Sequence, residues 1–429
     1  MKERRKNKQR TSKGVTLIAL VVTIVILIIL AAVSINMVLG DQGIFKKAQE
    51  GANSMHDAEV NTQAGFNSIT DEIDRITSGQ GGGGTTPEEK SEIEQAKDSG
   101  EVFDTKTPIK DEHGNIIQIP GGFKVAEDSG DTVQQGIVIE DVNASGDEKV
   151  QGSQFVWIPV GTFIKDDKST SNEIILGRYT FSRSNGESTL VQAAYTEEEP
   201  ENYLKHGDTE IIEEYLAKYT ELSEYREGVA SDKPGVGLNA TAKDLAGFVN
   251  SVRTNGGYYI ARYEASFASG TSMDDYKAAS KVSDGFSEDS MNYKEGTLWN
   301  FITQLEASKV SINTYSESSS VKSDLMNSYA WDTAIVYIQE ATGRDYANQD
   351  GYLINTNLTN TGTKQDEVCK INDMASNVRE RTTEYSSYTY TYYAFHCTFR
   401  GGFYSSSLNS YTAFRDYNTA TNSSENFRF

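Results

Sequence analysis

Gln154-Phe155-Val156-Trp157-Ile158-Pro159-Val160-Gly161-Thr162-Phe163 is a short apolar run punctuated by Pro and Gly, and it reads as a strand. Pro159 has no N–H to give to a ladder, which predicts a place near a sheet edge. Gly256-Gly257-Tyr258-Tyr259-Ile260-Ala261-Arg262-Tyr263-Glu264-Ala265 is its counterpart, a glycine turn into an aromatic strand. Between them, Leu245, Phe248, Val249 and Val252 share one face of a helix over 241–252. Two further helices are read over 299–307 and 330–341, and strands with polar loops from Tyr385 onward. Few helices among many short strands place this part of the chain in the α+β class. Residues 165–240 interrupt the pattern as an insertion, with Glu197-Glu198-Glu199-Pro200 and then a helix read over 210–225. Acidic runs of that kind are mostly solvated faces.

The 429 residues carry a formal charge of −22, unevenly placed. Met1 to Gly14 holds seven Lys/Arg and one Glu, six net positive charges, so the remainder carries −28. An acidic body argues against a nucleic-acid partner, because neutralising phosphate needs a basic face. Two cysteines, Cys369 and Cys397, exclude a disulfide-dense scaffold and a thiolate zinc cluster. The histidines His56, His113, His206 and His396 lie far apart, so a His-based metal site needs convergence through the fold. No nucleophile elbow accompanies them.

Val15 begins an apolar run that reaches Leu39 without a charge, 25 residues that would span about 37 Å as a helix. The basic flank keeps the N-terminus cytoplasmic and puts the bulk of the chain outside. A basic segment ending in Gly14, followed at once by such a run, resembles a type IV prepilin leader. The resemblance implies a bacterial membrane or cell-surface location and cleavage by prepilin peptidase between Gly14 and Val15. It also implies the membrane and other pilin subunits as partners. Ala19 stands where that family has Glu at the fifth mature position, so a filament subunit, a minor or initiating subunit and a merely anchored pseudopilin all stay open. After Gly40-Asp41-Gln42-Gly43, an amphipathic helix is read over 40–77 from Ile44, Phe45, Ala48, Phe66, Ile69, Ile73 and Ile76. Residues 78–98, with four consecutive Gly, read as a flexible linker in which 88–98 is a short solvated helix or more spacer.

Phe155-Val156-Trp157-Ile158-Pro159-Val160-Gly161, Gly257-Tyr258-Tyr259-Ile260-Ala261-Arg262-Tyr263-Glu264, Tyr329-Ala330-Trp331-Asp332-Thr333-Ala334, Asn372-Asp373-Met374-Ala375-Ser376-Asn377-Val378 and Phe399-Arg400-Gly401-Gly402-Phe403-Tyr404, closed by Asn426-Phe427-Arg428, follow one another in order. They resemble successive blocks of the formylglycine-generating family. For residues 99–429 this implies the irregular fold related to C-type lectins: a small twisted antiparallel sheet with flanking helices, its first and last strands together. Ser406 and Tyr411 occupy the places of that family's two catalytic cysteines, so its chemistry is not expected and no catalytic residue or cofactor is assigned. A structural calcium ion is left open. Arg379 and Arg381 stand where the family has Trp. Arg400, Arg415 and Arg428 are read as partners of internal carboxylates. Cys369 and Cys397 are read either as a structural disulfide or as two separate thiols.

Residues 405–426 are dominated by Tyr, Ser, Asn and Thr, a mixture of rigid amphipathic rings and small adaptable polar groups that paratopes also use. The stretch resembles the variable region of lectin-fold proteins diversified by retroelements. By that resemblance the ligand-binding candidates are Ser405, Ser406, Ser407, Asn409, Tyr411, Ala413, Phe414, Asp416, Tyr417 and Asn418. The expectation is a surface-displayed protein that recognises another surface protein or a glycan. A purely structural pilus or pseudopilus subunit is the alternative, and an enzyme with an unrecognised site comes third.

Overall fold

The computed structural model describes residues 90–194, 222–223, 245–287, 293–354, 356–363, 366–386, 396–404, 411–419 and 426–429. The strand read around Trp157 is β5 (Gln154–Pro159), and it lies inside its sheet, not at an edge. β3 (Phe123–Val125) pairs with β4 (Val138–Asp141), β4 with β5, and β5 with β9 (Gly257–Ala261), all antiparallel. Pro159 is tolerated because it is the last residue of β5, opposite Gly257. Gly257 matters for packing: a Cβ there would overlap the Trp157 ring. Val156, Trp157 and Ile158 are all buried, so both faces of β5 are covered and its sequence shows no alternation.

One cover is α4 (Ser328–Thr342), capped by Asn327 and ended by Gly343 in the left-handed region. Trp331, Ile335 and Ile338 on it are fully buried. Tyr258 on β9 donates its hydroxyl to the Ala330 carbonyl at 2.7 Å, fixing sheet against helix. α2 (Leu245–Asn255) also packs on β9, its Phe248 lying edge-on to Tyr258. α3 (Gln304–Thr314) starts later than the apolar spacing suggests, because Thr303 and Glu306 form a capping box. It packs against β11 (Lys277–Ala279), which pairs with β10 (Ser266–Ser269); β13 (Thr297–Leu298) and β12 (Gly285–Phe286) complete that sheet.

Of the two readings for 88–98, the short helix is the one made, and one side of it is buried. α1 (Glu92–Ser99) opens on a Ser91/Glu94 capping box, closes on Gly100 and buries Ile93 and Ala96. It packs on β1 (Thr107–Lys110) and β3, and β1 pairs with β2 (Ile116–Ile119). Part of the stretch 165–240, read as an insertion, is described and packs into the domain. β6 (Gly177–Phe181) and β7 (Ser188–Ala193) form a hairpin whose Arg178, Tyr179 and Phe181 are buried, and the backbone N–H of Gly177 donates to Thr333 of α4 at 3.1 Å. The helix read over 210–225 lies mostly outside the described residues, yet Leu222–Ser223 within it is a strand, β8.

The C-terminal sheet carries the candidate site. β16 (Glu380–Ser386) pairs antiparallel with β17 (His396–Arg400) and with β8, and β17 with β18 (Arg415–Thr419). The last strand, β19 (Asn426–Phe427), lies parallel to β16. The implied pairing of first and last strands is not made; instead the Phe427 and Phe429 carbonyls accept from Ala265 and Ala261. A small hairpin, β14 (Glu367–Val368) with β15 (Ile371–Asn372), stands before β16. Among the described residues no helix is long and apolar enough to cross a membrane. The run 15–39, Gly14, Val15 and the helix read over 40–77 lie outside the described residues.

Candidate functional site

Against the 411–414 turn lies a buried set of four charges. Arg400 of β17 reaches Asp332 of α4 at 2.6 Å and Glu384 of β16 at 3.4 Å. Arg415 of β18 meets Glu384 at 3.1 Å and closes the ring on the other Asp332 oxygen. Backbone joins in: the Tyr179 N–H donates to Asp332 at 2.9 Å, and Arg400 Nε donates to the Phe414 carbonyl at 3.2 Å. Burial alone would raise the Asp332 carboxyl, but the Arg400 and Arg415 charges hold it below the ordinary carboxylate value. Two arginines and two carboxylates cancel, which makes burial of all four tolerable.

Arg428 has a separate cradle. It reaches Glu380 at 2.7 Å and donates to the Ala261 and Asn372 carbonyls, each at 2.7 Å. The internal pairing read for Arg400, Arg415 and Arg428 is thus made in all three cases. Close by, the Glu264 carboxylate accepts from Asn377 at 2.6 Å and from the Val378 N–H at 3.0 Å. Asp373 accepts from Thr361 and from the Gly362 N–H, and Asp366 accepts from the Ala375 N–H. Burial pushes Glu264, Asp373 and Glu380 up, and Asp366 to about 7, aided there by the Asp373 charge. These carboxylates fold loops around themselves with protein donors.

On this base the chain turns from Tyr411 to Phe414. The Thr412 and Ala413 N–H groups donate to the Gln349 and Ala347 carbonyls, and Trp331 Nε1 donates to the Thr412 carbonyl at 3.2 Å. Tyr411 is half-buried and bridges to Asp350. The Arg183 guanidinium stands 3.9 Å from the centre of its ring and donates to its hydroxyl at 2.9 Å. Arg183 belongs to the β6–β7 turn, which Asn348 and Gln339 tie to the end of α4 through the Ser182 and Gly186 carbonyls. Gly186 has a φ of 69°, and a Cβ there would overlap the Asp345 carboxylate, so glycine is required for this approach. Beside Tyr411, the short helix α5 (Gly351–Ile354) presents Leu353 at 80% exposure.

Two of the expected ligand contacts are corrected. Ala413 and Phe414 are buried in the domain, Phe414 lying 5.3 Å from the Arg379 guanidinium. Their side chains are core, for the physical reason that the Tyr411–Phe414 turn is pulled inward by Ala347 and Trp331. Asp416, Tyr417 and Asn418 have backbone in β18, opposite Phe399, Thr398 and Cys397. Ser405, Ser406, Ser407 and Asn409 lie outside the described residues. Among the candidates whose side chains are described, Tyr411 is the one in a half-exposed setting with a defined partner.

Arg379 lies against aromatic faces: its guanidinium is 4.9 Å from the Phe399 ring centre and 5.1 Å from that of Phe403. Cys369 is a free thiol directed at the Gln134 carbonyl, 3.6 Å away, so the bridge to Cys397 is not formed. Burial pushes that thiol up to about 12, which makes it a poor nucleophile. The chain's three Trp residues, Trp157, Trp299 and Trp331, are all buried, so stacking of a sugar on an exposed indole is not available.

Asp332, Glu384 and Arg183 escaped the sequence reading as site residues. A charge inside the otherwise apolar face of α4 is the signal that would have found Asp332. Nothing in the sequence marks Arg183, which stands in what reads as an insertion. No protein-family model matches the chain, and no curated protein or solved structure matches it significantly.

Proposed function

We propose that the chain is a surface-displayed binding protein that recognises a protein or glycan through the face around Tyr411 and the 405–410 loop. The observation that carries this reading is the Arg183–Tyr411 pair, a stacked and hydrogen-bonded arginine and tyrosine beside the exposed Leu353. Tyr and Arg anchors next to apolar surface are the usual energetic centres of binding faces. A loop set on a rigid base binds without a large ordering cost. The prepilin-like start supplies display, and the formylglycine-generating and lectin-like block order is consistent with a scaffold that offers loops to a partner. Placement of Ser406 and Tyr411 at the cysteine positions supports binding over catalysis. In the retroelement part of the reading, the diversified positions are Ser405, Ser406, Ser407, Asn409, Tyr411, Asp416, Tyr417 and Asn418, with Ala413 and Phe414 set aside as buried.

The test is binding of the full-length protein to immobilised glycans and surface-protein fragments, compared with Y411A and R183A. We expect a wild-type signal that falls about tenfold or more in each variant, with unchanged melting temperature. Equal signals in all three would overturn the assignment of this face. Absence of a template repeat beside the gene would end the retroelement part.

The run that follows Gly14 also favours a second reading, a minor or initiating pilus subunit. A mature protein starting at Val15, found by mass spectrometry of cell-surface material, is expected in that case. A retained Met1 would leave a simple membrane anchor.

A further inference from the structure

At the opposite end of the chain's order, the β1–β2 turn brings His113 to a place where its Nε2 is buried and has no hydrogen-bond partner. The imidazole is 9% exposed, and Nε2 lies 3.3 Å from Asp166 Oδ1 and 3.5 Å from Glu112 Oε1. The three ligand atoms lie within 4.8 Å of one another. We propose that Glu112, His113 and Asp166 form a binding site for a divalent transition ion of the zinc type.

The distances support this. Bonds of about 2.0–2.2 Å at tetrahedral angles put neighbouring ligand atoms about 3.3–3.6 Å apart. That range contains both observed separations, which are longer than good N–H···O hydrogen bonds. One imidazole with two carboxylates suits zinc, whereas calcium and magnesium prefer oxygen alone. Glu112 and Asp166 are half or more than a third exposed, which gives an ion entry and leaves its fourth position to water.

The site is also built. Asn115 clasps the Ile164 backbone with both its amide atoms, at 2.7 and 2.9 Å, holding the His113 turn against the Asp166 segment. Asp111 accepts from the His113 and Asn115 N–H groups and shapes that turn. Thr132 donates to Asp166 Oδ1 at 2.7 Å and Gln135 to Oδ2 at 3.2 Å, orienting the carboxylate as second-layer groups do around metals. An ion here would staple the β1–β2 hairpin to the segment that follows β5.

Calorimetric titration of the full-length chain in detergent with Zn²⁺, and separately with Ca²⁺, tests this. Wild type should show a stoichiometric Zn²⁺ site and a higher melting temperature with the ion. H113Q and D166N should each lose that site, and T132V should weaken it about 10- to 100-fold. Should H113Q fail to fold, E112Q on the exposed side of the turn must still weaken Zn²⁺ binding. Cobalt substitution should give the intense visible bands of four-coordination in wild type alone. Identical isotherms in wild type, H113Q and D166N would overturn the proposal, as would Ca²⁺ binding as tightly as Zn²⁺. Absence of a Zn²⁺ site in wild type would overturn it too.

Discussion

D332N should lower the stability of the domain by about 3–5 kcal/mol, because it leaves Arg400 and Arg415 buried against Glu384 alone. The amide keeps the shape of the carboxylate, so no cavity contributes; the loss comes from two guanidinium groups that water cannot reach. Arg400 and Asp332 are fully buried and Arg415 nearly so, which leaves little room for solvent to compensate. Thermal unfolding should show a midpoint lowered by roughly 10 °C. The Tyr411 turn should loosen with it, since Arg400 also holds the Phe414 carbonyl. A midpoint equal to that of wild type would show that the four charges contribute no net stability. Binding lost in D332N but restored on cooling would separate support of the loop from contact with a ligand.

The second large effect is a dependence on pH set by Asp366. Its folded-state carboxyl titrates at about 7, against 3.8 for the ordinary group, because it is buried and faces Asp373. Between those values the unfolded chain has released a proton that the folded chain still holds. Stability must therefore fall as pH rises across this window, by about 1.4 kcal/mol per pH unit for this one group, and level off above pH 7. Below pH 4 both states hold the proton and the contribution is complete. D366N mimics the neutral acid and can still accept from the Ala375 N–H, so its stability should lack this slope. Glu264, Asp373 and Glu380 are shifted in the same direction and Asp332 in the opposite one; the difference between wild type and D366N isolates Asp366. The measurement is denaturant unfolding at intervals from pH 4 to 8. Parallel curves for the two proteins would sink the assignment.

Much of the architecture was legible. The strands at Trp157 and Tyr258 and the helix around Trp331 are where apolar spacing puts them, since each buries a continuous apolar stretch. α1 and the true start of α3 were legible in a different signal, the capping boxes Ser91/Glu94 and Thr303/Glu306, which weak apolar spacing hides. α1 has little but Ile93 and Ala96 to bury, so its periodicity says almost nothing. The reading of Pro159 as an edge marker failed because a proline that ends a strand costs the ladder nothing further along.

For the site, residue chemistry alone determined that Arg400, Arg415 and Arg428 need carboxylate partners, whereas the Tyr- and Ser-rich stretch 405–426, read as one loop, contains the strand β18. Only the tertiary structure decided which carboxylates these are, because Asp332, Glu384 and Glu380 come from a helix and a strand distant from the arginines in the chain. It also decided that Ala413 and Phe414 face inward while Tyr411 meets Arg183. Composition describes what a loop can do to a ligand; which side chains reach solvent depends on backbone contacts with Ala347, Gln349 and Trp331 that no local pattern encodes. The same holds for His113, a lone histidine in a turn until the Asn115 clasp brings Asp166 beside it.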